Sequence, residues 1–262
     1  TTVGDAEAMA ELGSYTQVVT AFEYLCGPGA TSAELAPMLA ESWSPNDDGS
    51  VWTFKLRQGV KWHAGGDFTS ADVVATLERL AGSNLAAYIT AGASKAIDDF
   101  TVEVTLNQPD GQFPYQMSWS NPQSVITPAD FVLGSTLDQA KTGTGAFKLD
   151  SYDPATGATY VRNDDWWGGK TFLDKVEFVF SEDLPTQVTA LAAGEVDAIV
   201  QFSVAGGDVL LNSIDGLIYF KPDGKKTERA IVSVKGGDSV SVAMIRDLKG
   251  VLDREKSPMG IF

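Results

Sequence analysis

The chain has 262 residues and carries 35 acidic against 19 basic side chains, a formal net charge of −16. Its 44% hydrophobic and 21% charged residues are a globular composition, sufficient for one large domain or two ordinary ones. So negative a chain argues against nucleic acid as the main partner. No apolar run approaches the ~18 residues of a membrane-spanning helix, and the single cysteine, Cys26, can form neither an internal disulfide nor a metal site of its own. The opening Thr1-Thr2-Val3 is neither an initiator nor a basic-then-apolar leader, so any signal peptide is expected to have been removed already.

Apolar spacing through Ala6, Met9, Leu12, Val19, Phe22 and Leu25 predicts a helix over 6–25, stopped by Cys26-Gly27-Pro28-Gly29. Glu34–Trp43 reads as a short apolar element closed by a turn at Ser44–Gly49. Val51–Leu56 alternates in the strand period, with Trp52, Phe54 and Leu56 on the core face, and Val60–His63 continues as extended chain. Thr69 with Asp72 three residues on forms a variant capping box opening a helix whose inner face is Val73, Val74, Leu77 and Leu80. Phe100–Leu106 is an alternating strand, and Ser124–Phe131 a strand end followed by a turn. The glycines of Gly143-Thr144-Gly145 permit a tight backbone crossing before strands at Thr159–Arg162 and Val176–Phe180. Leu184–Ala193 is a helix capped by Gly194, and Val196–Val200 a buried strand, with Asp197 accepting hydrogen bonds at its end. The order predicts a mixed α/β (α+β) sheet architecture.

Leu35–Trp43, Asp48–His63, Phe68–Leu80, Ile126–Phe131, Gly143–Leu149, Arg162–Trp167 and Leu191–Ala198 together resemble, in order, the extracellular solute-binding proteins of family 5, the peptide, opine and nickel class serving ABC importers. The resemblance implies the first lobe of a periplasmic binding protein-like clamshell, at residues 1–212, with an inserted subdomain at roughly 50–140. It implies a non-enzymatic protein without cofactor or metal, located in the periplasm or outside the cell, either free or lipid-anchored before processing. Two lobes close on a solute, commonly a peptide, and the closed form docks on a membrane permease. Family members are about twice this length, so a second lobe is expected to be missing here. The first-lobe pocket implied by the resemblance falls near Tyr15, Thr16 and Gln17 and near Trp119, Ser120 and Asn121, whose aromatic and amide groups suit a peptide pocket; core packing is the alternative for Trp119.

The tail departs from that pattern. Residues 1–212 hold 10 Lys and Arg against 28 Asp and Glu, whereas residues 213–262 hold 9 against 7, and all 6 Trp precede residue 168. Residues 213–262 resemble a restriction-endonuclease-like fragment with a foreign βαβ-like order, as found near bacterial DNA methyltransferases. Asp215 and Lys235 match the places of a magnesium ligand and a water-orienting lysine, but Ser233 stands where a second carboxylate would be. Two alternatives stay open: ordinary hairpin turns at Asp215-Gly216 and Lys235-Gly236-Gly237, and a rearranged reading frame joined near Asn212–Ile214 that yields a product without function.

Elsewhere the residues read as scaffold. His63, the single histidine, sits beside Trp62 as a packed or hydrogen-bonded residue, and Trp166-Trp167 reads as aromatic packing. Asp47-Asp48-Gly49 lacks the further ligands of a calcium loop.

Overall fold

The computed structural model describes residues 6–8, 12–31, 34–181, 183–200, 216–220 and 228–232, in two units, Thr1–Phe180 and Ser181–Phe262. In the first unit a helix α1 (Leu12–Ala21) leads to a small antiparallel pair, β1 (Cys26–Pro28) with β2 (Leu35–Pro37). Then come β3 (Ala40–Pro45), β4 (Val51–Leu56), α2 (Ser70–Ala81), β5 (Ser94–Asp98) and β6 (Thr101–Thr105), the strands forming one antiparallel sheet in the order β3-β4-β6-β5. Short helices α3 (Phe113–Gln116) and α4 (Leu137–Ala140) precede a second antiparallel sheet of β7 (Phe147–Asp153), β8 (Gly157–Arg162) and β9 (Lys175–Val179).

Strand β4 organises the larger sheet as its alternation predicts. Trp52, Phe54 and Leu56 are buried, and Trp52 and Phe54 stand opposite Val104 and Val102 of β6. Burying three large side chains on one face provides the apolar contact that holds the sheet to its covering elements; Phe54, for instance, meets Phe113 of α3 edge-on at 6.4 Å. Both outer strands carry register shifts, at Ala40/Ser42 in β3 and at Ala96/Asp98 in β5. Bulges of this kind, with Pro45 on one edge and Lys95 on the other, discourage pairing with further chains.

Helix α2 begins where the capping box places it, with the Thr69 amide donating to the Asp72 carboxylate at 2.8 Å. Its buried face is Val73, Thr76, Leu77 and Leu80, while Val74 is only half-buried. The 3.6-residue period carries Val74 to the flank and brings Thr76 inward, where its hydroxyl bonds to the Thr127 carbonyl at 3.1 Å.

Other expectations need correction. The first helix is shorter than 6–25 and stops at Ala21, because the Ala21 carbonyl turns to accept the Gly145 amide at 2.8 Å. Beyond it Phe22, Glu23, Tyr24 and Leu25 are all buried, a run enclosed on several sides rather than along one helical stripe. Glu34–Trp43 divides into β2 and the start of β3. Ser124, expected to open a strand end, instead closes a short 3₁₀ turn over Pro122–Ser124.

In the second unit, α5 (Leu184–Ala193) is capped by the Asp183 carboxylate, which accepts the Thr186 amide at 2.8 Å, and ends on Gly194 at φ 73°. Val196–Val200 is neither a strand nor buried: Val200 is 48% exposed, and among the described residues no strand pairs with this segment to complete a ladder. Asp197 is exposed accordingly. A hairpin of β10 (Gly216–Phe220) and β11 (Glu228–Val232) pairs Gly216 with Val232 and Phe220 with Glu228.

Candidate functional site

The two segments expected to line a pocket belong to α1 and to the turn after α3, and the buried run after α1 joins them. Cys26 forms a parallel bridge with Ser118, its amide donating to the Met117 carbonyl at 3.0 Å. The Tyr24 hydroxyl donates to the Pro122 carbonyl at 3.0 Å, one residue beyond Asn121. Burial raises the Tyr24 phenol above its ordinary pKa, and the Tyr15 side chain adds to the shift.

Individual candidates differ in what they still offer. Tyr15 is half-buried against the core. Thr16 bonds back to the Gly13 carbonyl at 3.0 Å. Gln17 is 2% exposed, its amide nitrogen donating to the Gly13 carbonyl at 3.2 Å while its Oε1 has no protein partner. Trp119 is half-buried, with an inward Nε1 that also lacks a protein partner. Ser120 is exposed, and its amide donates to the Ser118 hydroxyl at 3.2 Å. Asn121 is committed to the turn: its amide nitrogen donates to Asn84 Oδ1 at 2.6 Å and to the Gln116 carbonyl at 3.1 Å. What the two segments present is ring area from Tyr15 and Trp119 and the exposed Ser120, while the Gln17 Oε1 and Trp119 Nε1 atoms are buried behind them.

Sequence reasoning passed over Glu23. The residue is only 5% exposed, and its carboxylate accepts two adjacent indoles, Trp166 Nε1 at 3.1 Å and Trp167 Nε1 at 2.9 Å. Burial raises its pKa, opposed by those two hydrogen bonds and by the Arg57 charge. The Arg57 guanidinium lies 4.0 Å from the Trp167 ring centroid, donates to the Met38 carbonyl at 2.9 Å and pairs with Glu41 at 3.5 Å. A glutamate inside the otherwise apolar run Ala21–Leu25 was the signal available, since a buried carboxylate requires donors.

Around the end of α1 the remaining candidates are structural. His63 Nε2 lies 2.9 Å from the Gly145 carbonyl, which also accepts Asn163 Nδ2 at 3.0 Å. Donation to a carbonyl fixes the neutral ring with its proton on Nε2, and burial holds the imidazole down at about 4. The Cys26 thiol is buried and pushed up to about 12, the state of an unreactive sulfur. Asp48 closes a turn by accepting the Ser50 amide at 2.9 Å. Among the described residues, no group of three or more His, Cys, Asp or Glu is placed to hold a metal ion, and no helix is long and apolar enough to cross a membrane. Asp215, Ser233 and Lys235 lie outside the described residues.

Comparison with known proteins agrees with the motif order. The family model for bacterial extracellular solute-binding proteins, family 5 Middle, matches residues 34–226. Haem-binding protein A of Haemophilus influenzae is 31% identical over 202 residues, covering 66% of this chain and 37% of that protein. Di/tripeptide-binding protein 1 of Pseudomonas aeruginosa is 30% identical over 223 residues, covering 74% of this chain and 40% of its own length. Among solved structures, the periplasmic binding protein AgaA of A. tumefaciens R10, in complex with agropinic acid, superposes with a TM-score of 0.65 at 30% identity, covering 75% of this chain and 40% of that one. The chain thus spans less than half the length of the proteins it matches.

Proposed function

The chain belongs to the bacterial extracellular solute-binding proteins, family 5, and from that premise we propose that its first unit is one wall of a solute-binding cleft serving an ABC importer outside the cytoplasm. Binding, rather than bond-making, is its part in the process, and a membrane permease is the partner that receives the solute. The observation that carries this reading is the pairing of the run after α1 with the 117–122 turn, the Tyr24 hydroxyl on the Pro122 carbonyl and the Cys26 amide on the Met117 carbonyl. Tyr15, Thr16, Gln17, Trp119, Ser120 and Asn121 are the proposed wall, with Gln17 Oε1 and Trp119 Nε1 buried behind it and without protein partners. A short peptide fits this wall: the aromatic faces of Tyr15 and Trp119 cover its side chains, and the exposed Ser120 offers its hydroxyl to the backbone. The relatives support small organic solutes in general, since their names specify haem, di- and tripeptides and agropinic acid.

Calorimetry of the chain against a pool of di- and tripeptides tests the proposal. One wall cannot enclose a guest, so the expected dissociation constant is weaker than about 1 μM, or roughly −8 kcal/mol. Trp119→Ala should weaken it further by on the order of tenfold, the loss of about 1.4 kcal/mol of stacking. No heat of binding at millimolar peptide, or an affinity indifferent to Trp119, would refute this assignment.

A second reading concerns the C-terminal segment, where a magnesium-dependent nuclease fragment would act through Asp215 and Lys235. This reading rests on the sequence order of Asp215, Ser233 and Lys235, all of them outside the described residues. Plasmid nicking that requires Mg²⁺ and is lost in Lys235→Ala would establish it; equal nicking by both proteins would dismiss it.

A further inference from the structure

Glu23 and Tyr24 gather three distant segments, 38–39, 122–126 and 166–167, at one point. The Glu23 carboxylate accepts the indoles of Trp166 and Trp167, one on each oxygen, at 3.1 and 2.9 Å. The Glu23 carbonyl accepts the Ile126 amide at 2.9 Å. Tyr24 donates its amide to Met38 Sδ at 3.3 Å, accepts the Leu39 amide at 3.1 Å and donates its hydroxyl to Pro122 at 3.0 Å. The two indole rings are tilted by 55° with centroids 5.5 Å apart, and their N–H groups converge on a single side chain. Each donor has an acceptor oxygen of its own, an arrangement that a carboxylate offers and a side-chain amide does not. Arg57 closes the outer side of the cluster by lying over Trp167.

We propose that Glu23 is a positioning residue: by holding both indoles it sets the Trp166–Trp167 loop and the Tyr24–Pro122 contact as one unit, and so places the wall that carries Tyr15 and Trp119. The functional meaning rests on the proposed binding role of that wall, whereas the placement itself can be read without any solute. Failure to bind peptide would therefore count against the function and leave the result below to be judged separately.

The test is the indole N–H spectrum of the ¹⁵N-labelled chain, compared with Glu23→Gln. Gln keeps the size of the side chain and one acceptor oxygen but turns an amide N–H₂ toward the other indole. The Trp166 and Trp167 resonances should both shift, and one of them should exchange its proton on the order of tenfold faster. Trp119 should shift with them. Trp52, whose indole donates to the Asp110 carbonyl at 2.9 Å, should stay in place. Movement confined to Trp166 and Trp167, or none at all, overturns the proposal, because a purely local contact would not reach Trp119. Glu23→Asp keeps both oxygens on a shorter stem and must move the same three resonances together; if the Gln variant does not fold, the Asp variant decides.

Discussion

Replacing Gly143 by alanine should be among the most damaging small changes in this chain. A Cβ built there would lie 2.0 Å from the Ala21 carbonyl oxygen, at a backbone φ of 152°. Contacts below 3.0 Å are essentially never made by a Cβ, so the two backbones must part by about 1 Å. That separation acts on the 2.8 Å hydrogen bond from the Gly145 amide to the same carbonyl, and on the 2.8 Å bond from the His63 amide to the Gly143 carbonyl. Strain at a glycine-favoring φ costs about 1–3 kcal/mol, and a buried amide left without its partner costs about 1–3 kcal/mol more. A total of about 4 kcal/mol is a large share of the roughly 5–15 kcal/mol that holds a domain together. At roughly 2–4 °C per kcal/mol for a unit of this size, the melting temperature should fall by about 8–16 °C. Thermal and urea unfolding followed by circular dichroism measure this, with Gly59→Ala as the control: Gly59 has φ 76°, but nothing lies within 4 Å of an added Cβ. The control isolates the conformational cost from the crossing. If Gly143→Ala melts within about 2 °C of the parent, or no lower than Gly59→Ala, the crossing does not bear the weight assigned to it.

His63 gives a pH test, because a single imidazole is easily followed by proton NMR. Its ring should titrate near 4 instead of its ordinary 6.5, so the unfolded chain takes up a proton that the folded chain refuses. Stability should then be complete above 6.5 and decline as the pH falls toward 4, by up to roughly 3 kcal/mol. A ring titrating at 6.5 in the folded chain would refute the burial argument. Cys26 should be silent to a thiol reagent in the native protein and react stoichiometrically once unfolded, given a buried thiol raised to about 12; fast native labelling would contradict that.

Particular elements show how far local sequence reaches. The alternation in Val51–Leu56 and the Thr69–Asp72 cap were legible because the residues that set them are within a few positions of one another. The tight crossing at Gly143-Thr144-Gly145 could be read as a need for glycine, although its partner, the Ala21 carbonyl, could not. Val196–Val200 misled because an apolar run suits a strand only if another strand pairs with it, and among the described residues none does. Within the candidate site, both segments were locatable by resemblance, but Asn121 proved to be spent on Asn84 and Gln116, while Gln17 and Trp119 retain polar atoms without protein partners.

Family membership, the helix and strand periods and the positions demanding glycine were all determined by the sequence alone, since each depends on short-range pattern and backbone sterics. What only the tertiary structure decided is the clamp on Glu23. Its two indole partners lie 143 and 144 positions away, and nothing near residue 23 announces them. A carboxylate acquires donors of that kind only when folding strips its water and delivers other groups in exchange.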